Sequence, residues 1–411
     1  VTVFLSCMGL FTEDLPMPWK ELKPMDEKVL FVADYLRQID SFSGLCRRYG
    51  ISRKTGYKLV ERYQQQGVDG LEERSRRPHR QPAQLPYAVQ QSILELRQRG
   101  RQEMGPKKIQ ALLKRRYPEQ SVPSRTTIYN VLKRADLVKP RQQRRRVAPS
   151  ASVPRTADAP NELWSADFKG QFLTRDGQWC YPLTIMDHAS RYLLACQALP
   201  GTRLEQTQAV FRDLFRQQGL PQRLRTDNGV PFASTACGGL SRLSIWWIRL
   251  GILPERIAPG RPQQNGRHER MHRTLKRDAT KPPAAHAKAQ QRCFDDFLGQ
   301  YNTQRPHEAL AQQTPASIYS ASIRPYPERL PEIRYADHLG LRRVCSTGLL
   351  YWRGRAIYVS YLLAGEQIGL EQIDDGVWIV HFGPVRLGQF DERMADSSRN
   401  CLTLKKCYPC P

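Results

Sequence analysis

Apolar positions between residues 26 and 70 recur at the three- and four-residue spacing of amphipathic helices. After a first long helix, the pattern predicts a short helix over 43–49 that ends at Gly50. Ser52 is then placed to cap a basic helix over 53–66. A helix, a glycine turn and a Ser-capped basic helix are together typical of a helix-turn-helix unit.

The basic helix has a second copy further along the chain. Ser52-Arg-Lys-Thr-Gly-Tyr-Lys-Leu-Val60 matches Ser124-Arg-Thr-Thr-Ile-Tyr-Asn-Val-Leu132 at the Ser, Arg, Thr and Tyr positions. Helical patterns also precede this second copy. The sequence therefore predicts an N-terminal all-α part with two helix-turn-helix units, at 26–70 and 83–137. A helical bundle that does not enter a DNA groove would have the same pattern.

From residue 161 the pattern changes to short buried strands that alternate with helices, which predicts a central α/β domain over 161–325. Five short strands with turn residues between them then predict a small β-barrel over 340–392. The remaining ranges are interpreted as an N-terminal extension at 1–25, a basic linker at 138–160 and a C-terminal tail at 393–411. The predicted fold class is therefore multidomain.

The charge of the chain adds a polyanionic partner to this picture. The 411 residues carry 64 Lys and Arg against 39 Asp and Glu, a net charge of +25. Residues 20–147 hold 30 of the basic residues and 13 of the acidic ones, so +17 lies in under a third of the chain. Nucleic acid is the first candidate partner for such a surface. No apolar run reaches the length of a membrane span, so no membrane partner is expected.

Three acidic residues stand in motifs that suggest chemistry. Asp167 lies in Trp164-Ser-Ala-Asp-Phe-Lys-Gly170 and Asp227 lies in Arg225-Thr-Asp-Asn-Gly229, both at predicted strand ends. Glu269 ends the run Gly-Arg-Pro-Gln-Gln-Asn-Gly-Arg-His-Glu269, at the start of a predicted helix. Three carboxylates brought together by a fold form an oxygen-ligand site for Mg²⁺, an ion commonly used in phosphoryl transfer.

Together with Tyr301-Asn-Thr-Gln-Arg-Pro-His-Glu-Ala-Leu310, these motifs make residues 161–310 resemble the catalytic core of insertion-sequence DDE transposases and retroviral integrases, which has an RNase H-like fold. The paired helix-turn-helix units and the terminal barrel fit the same family. One departure is the 41 residues between Asp227 and Glu269, which exceed the commonest integrase-type spacing. The extra length falls around 235–249 and is interpreted as a longer loop and helix.

The resemblance implies a DNA transposase that binds element ends and catalyses Mg²⁺-dependent cleavage and strand transfer for DNA integration. Asp167, Asp227 and Glu269 are then the catalytic residues and the ligands of two Mg²⁺ ions, for which Mn²⁺ can substitute. The expected partner is double-stranded DNA, bound by a homo-oligomer in the bacterial cytoplasm, at the nucleoid. The candidate DNA-binding residues are Arg53, Lys54, Tyr57, Lys58, Arg125, Thr126, Arg144, Arg145, Arg146, Arg273 and Lys276.

Other functions remain open at this point. A DNA-binding regulator of transposition with an inactive core, or a nuclease without strand transfer, would share these domains. His268-Glu-Arg-Met-His272 also matches the H-E-x-x-H signature of zinc metalloproteases, for which Asp295 or Asp296 would have to supply a third ligand. In a transposase, by contrast, we expect both histidines to point away from the acidic cluster and to face phosphate or solvent.

Four further polar residues have both a functional and a structural interpretation. Asp187 could be a fourth carboxylate but is predicted to be a turn residue. Asn228 could orient Asp227, touch DNA or form a turn. Arg305 and His307 could contact phosphate or pack inside the domain.

Overall fold

The computed structural model describes residues 24–73, 85–98, 104–138, 157–258, 262–393, 401–402 and 404–406. The chain forms two compact units, residues 1–84 and residues 85–411. None of the helices in the described ranges is both long and apolar enough to cross a lipid bilayer.

The first unit is a three-helix structure. Its helices are α1 (Pro24–Leu36), α2 (Phe42–Arg48) and α3 (Arg53–Gln66), followed by a 3₁₀ turn at Gly67–Leu71. Gly50 has a φ of 62°, which lets the chain turn sharply between α2 and α3. The Ser52 hydroxyl then accepts a hydrogen bond from the Thr55 N–H and caps α3. A Cβ at Gly56 would lie 2.9 Å from the Cys46 Sγ, so this glycine permits close helix packing.

The second unit begins with another three-helix structure, formed by α4 (Tyr87–Gln98), α5 (Pro106–Arg116) and α6 (Arg125–Arg134). The Ser124 hydroxyl accepts a hydrogen bond from the Thr127 N–H, which repeats the cap of α3. Ile93, Ile109 and Ile128 are fully buried between the three helices. The internal sequence repeat therefore corresponds to two helices that begin in the same way.

A mixed six-stranded sheet with helices on both faces forms the centre of this unit. Its elements are β1 (Leu163–Phe168), β2 (Phe172–Leu173), β3 (Trp179–Asp187), β4 (Leu193–Leu199), α7 (Leu204–Gln218), β5 (Arg223–Thr226), α8 (Arg242–Arg249), β6 (Leu253–Arg256), α9 (Gly266–Ala279) and α10 (Ala287–Thr303). Short 3₁₀ turns lie at Cys237–Gly239, Pro262–Asn265, Glu308–Leu310 and Pro315–Ser317. The strand order is β2-β3-β1-β5-β6, and β4 pairs with β3. β1, β5 and β6 run parallel, whereas β3 is antiparallel to β1 and to β4.

The two faces of this sheet bury different side chains because successive residues of a strand point to opposite sides. In β1, Trp164 and Ala166 join the apolar core shared with α7 and α8. The alternate side chains, Ser165 and Asp167, contact histidines of α9, so this pair lies on the opposite face. The alternation in β1 therefore places a polar pair under α9.

Helix α8 belongs to two cores at once. Its Trp246 and Trp247 pack in the core of the central sheet. Its Ile245 and Ile248 pack in the core of the C-terminal domain. The extra residues between Asp227 and Glu269 thus form a helix that packs against both the central sheet and the C-terminal strands.

The C-terminal domain consists of two sheets. Their strands are β7 (Gly340–Arg343), β8 (Leu349–Trp352), β9 (Arg355–Tyr358), β10 (Gln367–Asp374), β11 (Val377–Phe382), β12 (Val385–Asp391), β13 (Cys401–Leu402) and β14 (Lys405–Lys406), with a 3₁₀ turn at Tyr361–Leu363. One sheet has the order β14-β12-β11-β10-β7, and the other has the order β13-β9-β8. In the described residues no pairing joins the two sheets, so they do not form the closed barrel predicted over 340–392. The reason is that β8 pairs with β9, and β9 pairs with β13, rather than with the strands of the larger sheet.

Candidate active site

Asp167 and Asp227 lie at the same end of two adjacent strands. β1 and β5 are parallel, and Ser165 is in register with Arg225. Counting two residues further along each strand puts Asp167 level with Asp227. Adjacent strands are about 4.8 Å apart, so this register brings the two acidic residues side by side at the carboxyl edge of the sheet.

The Asp167 carboxyl has an unusual electrostatic environment. Its side chain is 19% exposed. Burial raises its pKa to about 7, and the charges of Asp227 and Glu269 add to this rise, while Lys169 opposes it. Both other acidic residues therefore lie close enough to act on Asp167. A divalent cation would relieve this repulsion, and carboxylate oxygens are the ligands that Mg²⁺ prefers.

The loop after β5 holds Asp227 in a fixed turn. Its Oδ1 accepts a hydrogen bond of 3.1 Å from the Gly229 N–H. The Asn228 amide donates to the Ile257 carbonyl at 3.0 Å, which ties the loop to the chain that follows β6. A Cβ at Gly229 would lie 3.2 Å from the Asp227 Oδ2, so glycine leaves the space beside this carboxylate open.

Glu269 lies in the first turn of α9 and is exposed. Arg273 and Lys276 are exposed on the same helix, four and seven residues later, and therefore share its face. Glu269, Arg273 and Lys276 therefore form one exposed stripe along α9, with the acidic residue at its N-terminal end. A carboxylate followed by two cations along one face could contact both a metal ion and a phosphate backbone.

The expectation that His268 and His272 point away from the acidic cluster is wrong. Both side chains are buried, at 0% and 5% exposure. The Nδ1 of His272 lies 3.7 Å from the Asp167 Oδ2. The physical reason is that Met271 and Leu275 bury their side of α9 against the sheet, and His268 and His272 lie on that side. Glu269, offset by roughly 100° from His268, lies at the margin of this buried side and not opposite to it.

A buried polar network joins these histidines to the sheet. His268 Nδ1 lies 2.7 Å from the Ser165 Oγ, and its Nε2 lies 2.7 Å from the Thr184 Oγ1. His272 Nε2 lies 2.7 Å from the same Thr184 oxygen. Burial lowers the pKa of His268 to about 3. Burial lowers the pKa of His272 even further, with smaller contributions from His268 and Lys169. Both imidazoles are therefore neutral at physiological pH.

This network does not fit the zinc protease arrangement. Asp167, His268 and His272 do offer three ligand atoms within 4.8 Å of one another, so the third ligand that the motif lacks is at hand. However, the Nε2 atoms of both histidines converge on the Thr184 hydroxyl, which occupies the point where they would share an ion. The remaining nitrogen of His268 faces Ser165. Glu269, the base of that motif, is exposed and not part of this cluster.

Two residues with a possible functional role have structural partners. The Asp187 carboxylate accepts hydrogen bonds from the Asn161 and Ser190 N–H groups and from the Ser190 hydroxyl, as expected for a turn residue. Arg305 is buried, and its guanidinium lies 3.7 Å from the Asp278 carboxylate.

His307 also has a packing contact. Its ring stands edge-on to Tyr301, with 4.9 Å between the ring centroids. Arg305 therefore connects the segment after α10 to α9, and His307 packs against the end of α10.

Most of the predicted DNA-binding residues lie at the surface. Arg53, Lys54, Tyr57 and Lys58 are exposed on α3, and Tyr57 also stacks on Phe42 with 4.1 Å between the ring centroids. In α6, Arg125 and Thr126 are exposed in the first turn. Arg144, Arg145 and Arg146 lie outside the described residues.

Sequence reasoning missed Ser165, Thr184 and Lys169. Ser165 and Thr184 are hydroxyl residues inside strands that are otherwise buried and apolar, and this could have marked them as partners of a polar group on the covering helix. Lys169 follows Asp167 by two residues and is the cation that acts on its carboxylate.

The fold of the central domain matches that of an integrase core. The family model named integrase core domain matches residues 157–262, and a second model with the same description matches residues 250–315. Models described as a helix-turn-helix domain and a homeodomain-like domain match residues 27–79 and 55–132.

Similar curated proteins come from bacterial insertion elements. The insertion element IS407 uncharacterized 31.7 kDa protein of Burkholderia multivorans is 27% identical over 223 residues, which cover 53% of this chain and 76% of that protein. The insertion element IS476 uncharacterized 39.2 kDa protein of Xanthomonas euvesicatoria is 27% identical over 245 residues, which cover 58% of this chain and 66% of that protein. The chain thus contains an integrase core domain and is similar to proteins of bacterial insertion elements.

Among solved structures, a chain of the simian T-cell lymphotropic virus intasome in complex with PP2A regulatory subunit B56 gamma is 17% identical. The match covers 72% of this chain and 97% of that one, with a TM-score of 0.35.

Proposed function

We propose that Asp167, Asp227 and Glu269 are the catalytic carboxylates of a DDE transposase that cleaves element ends and joins them to target DNA. The observation that carries this proposal is the electrostatic convergence on Asp167: Asp227 from the neighbouring parallel strand and Glu269 from α9 both raise its pKa. Three carboxylates from separate segments are costly to hold together unless a cation binds between them. The integrase core models that span all three residues support the same assignment.

The reaction follows from this donor set. In cleavage, a water oxygen bonds to phosphorus, the P–O3′ bond breaks, and the released 3′ oxygen takes up a proton. In joining, that 3′-hydroxyl attacks a target phosphate, whose own P–O3′ bond breaks. Two Mg²⁺ ions, or Mn²⁺ in their place, would polarise the phosphate and activate the attacking oxygen when bound. Asp167, Asp227 and Glu269 would hold these ions.

Other parts of the chain would bind and orient the DNA. The exposed cations Arg273 and Lys276 lie beyond Glu269 on α9 and would contact the phosphate backbone of DNA at the site. The N-terminal parts of α3 and α6 would bind element ends, the first through the exposed Arg53, Lys54, Tyr57 and Lys58, the second through the exposed Arg125 and Thr126. A homo-oligomer on DNA, acting at the nucleoid in the cytoplasm, completes the proposal.

The test is a cleavage and joining assay with the purified full chain, labelled element-end DNA, a target plasmid and Mg²⁺ or Mn²⁺. Asp167→Asn, Asp227→Asn and Glu269→Gln should each abolish cleavage and joining while DNA binding is kept. Asp296→Asn, which changes an exposed carboxylate on α10, is the matched control and should behave like the wild type. Normal cleavage by any of the three site variants would overturn the assignment. End binding by the wild type without cleavage in either metal would favour a regulatory protein instead.

A further inference from the structure

A single hydroxyl links the two buried histidines of α9 to the strand that carries Asp167. Thr184 is directly opposite Asp167 in the β1–β3 register and is fully buried. Its Oγ1 lies 2.7 Å from the Nε2 of His268, 2.7 Å from the Nε2 of His272 and 3.0 Å from the Asp167 carbonyl oxygen. A threonine hydroxyl has only one proton, so it donates to one of these three groups.

The choice of acceptor decides which nitrogen of His272 carries a proton. If Thr184 donates to the Asp167 carbonyl or to the His268 Nε2, the His272 Nε2 must donate to Thr184. The His272 Nδ1 is then a bare lone pair that faces a carboxylate oxygen at 3.7 Å, which places two acceptors opposite each other. If Thr184 donates to the His272 Nε2, which is also the shorter contact, the proton of His272 is on Nδ1 and faces the carboxylate.

The second arrangement satisfies the whole network in one direction. The Ser165 hydroxyl donates to His268 Nδ1, and His268 Nε2–H donates to Thr184. Thr184 donates to His272 Nε2, and the His272 Nδ1–H points at Asp167. Three of the four ring nitrogens then have a hydrogen-bond partner at 2.7 Å. The fourth, the Nδ1–H of His272, faces a carboxylate oxygen at 3.7 Å, so a donor and not a lone pair is opposite the acceptor.

We infer that His272 is a positioning residue for Asp167: its Nδ1–H, with the tautomer fixed by Thr184, holds the Asp167 carboxylate in the orientation that binds the catalytic cation. This inference rests on the proposed function, because it assumes that Asp167 is a metal ligand. Residues behind a ligating group commonly change metal affinity or activity by about 10–100-fold when they are replaced. His272 touches neither DNA nor metal in this role and acts only through Asp167.

A matched pair of variants separates this role from packing. In His272→Asn, the amide nitrogen is two bonds from Cβ, as Nδ1 is, so a donor to Asp167 can be kept. In His272→Gln, the nitrogen lies one bond further out, near the place of Nε2, so the link to Thr184 is kept and the donor to Asp167 is lost. Both variants replace a buried ring by a smaller amide, so a purely structural role predicts similar losses from both.

The primary measurement is Mn²⁺ binding to the DNA-free protein, followed by the EPR signal of free Mn²⁺, with cleavage of element-end DNA as a second readout. His272→Gln should weaken Mn²⁺ binding by about 10–100-fold, and His272→Asn should recover most of that loss. Thr184→Val and Thr184→Ser form a second pair, in which the serine variant restores the hydroxyl and should restore binding. Circular dichroism spectra identify variants that remain folded.

The tautomer can be observed directly. In protein labelled with ¹⁵N-histidine, the imidazole signals that disappear in His272→Asn belong to His272 and should show a proton on Nδ1. A proton on Nε2 alone would overturn the inference.

Equal Mn²⁺ affinity in His272→Gln, His272→Asn and wild type would also overturn it, as would equal losses in the two folded variants. Asp167→Asn keeps the two proposals distinguishable. If that variant binds Mn²⁺ and cleaves normally, the proposed function itself fails. If Asp167→Asn is inactive and His272→Gln is normal, only the positioning role fails.

Discussion

Lys108 is a cation that the fold places among other cations. It lies on α5, partly buried, close to Arg305 and Arg277. Its pKa falls from 10.5 to about 7, mainly because of burial and then because of the charges of Arg305 and Arg277, while Asp278 and Glu308 act in the opposite direction. The nearby Lys107 pairs with Glu308, so α5 contacts the central domain through charged side chains.

The stability of the protein should therefore depend on the protonation of Lys108. Between pH 7 and 10.5 the unfolded chain binds this proton and the folded chain releases it, so the free energy of unfolding should rise with pH across this window. Lys108→Met removes the charge and keeps the chain length. It should be more stable than the wild type at pH 7 and below, and the difference should shrink towards pH 10.

Thermal unfolding from pH 6 to 10 measures this difference, with the exposed Lys133→Met on α6 as control. Parallel melting curves for wild type and Lys108→Met at every pH would contradict the prediction.

The sequence points to the three carboxylates of the proposed site, but it does not point to the residues that contact them. Asp167, Asp227 and Glu269 lie in short sequence motifs, so they can be identified without knowledge of the fold. The orientation of His272 depends on which side of α9 faces the sheet. Because Glu269 is offset by roughly 100° from His268, Glu269 can reach the acidic residues whether the histidines face the sheet or the solvent. Only the burial of Met271 beside it decides this orientation.

The same limit applies to whole helices and sheets. The pattern around 235–249 predicted a helix, and α8 is present at Arg242–Arg249. A helix that is apolar on all sides is buried, but its sequence does not indicate which domain packs against each side. The strands of the C-terminal domain were visible as short alternating runs, but strand pairing joins distant residues, and here it produced two sheets in place of a barrel.

Because α8 serves two cores, a cavity on its outer side should loosen the C-terminal sheets selectively. Ile248 is 4% exposed and packs with the C-terminal strands. Ile248→Ala should lower the free energy of unfolding by about 2–5 kcal/mol. Chemical denaturation measures this loss, and limited proteolysis should show earlier cleavage beyond residue 333.

Ile373→Ala is the matched control, because Ile373 is 50% exposed on β10. Its effect should stay within about 0.5 kcal/mol. A loss from Ile248→Ala that is no larger than this would show that α8 does not stabilise the C-terminal domain.

Over the whole chain, the net charge of +25 and the exposed first turn of α3 make a joint prediction about DNA. The full protein should bind element-end DNA with an affinity that falls steeply with salt, since each Lys or Arg that contacts a phosphate releases counterions. If α3 enters the major groove, Arg53→Ala and Lys58→Ala should weaken binding to element ends more than binding to random DNA. A lost base contact should cost about 1–3 kcal/mol on element ends only.

Arg212→Ala, which removes an exposed cation from α7, is the control and should change neither affinity. Fluorescence anisotropy over a salt series measures all three variants on both DNAs. Equal losses on both DNAs, with a salt slope reduced by about 1, would assign Arg53 and Lys58 to phosphate contacts and rule out base reading by α3.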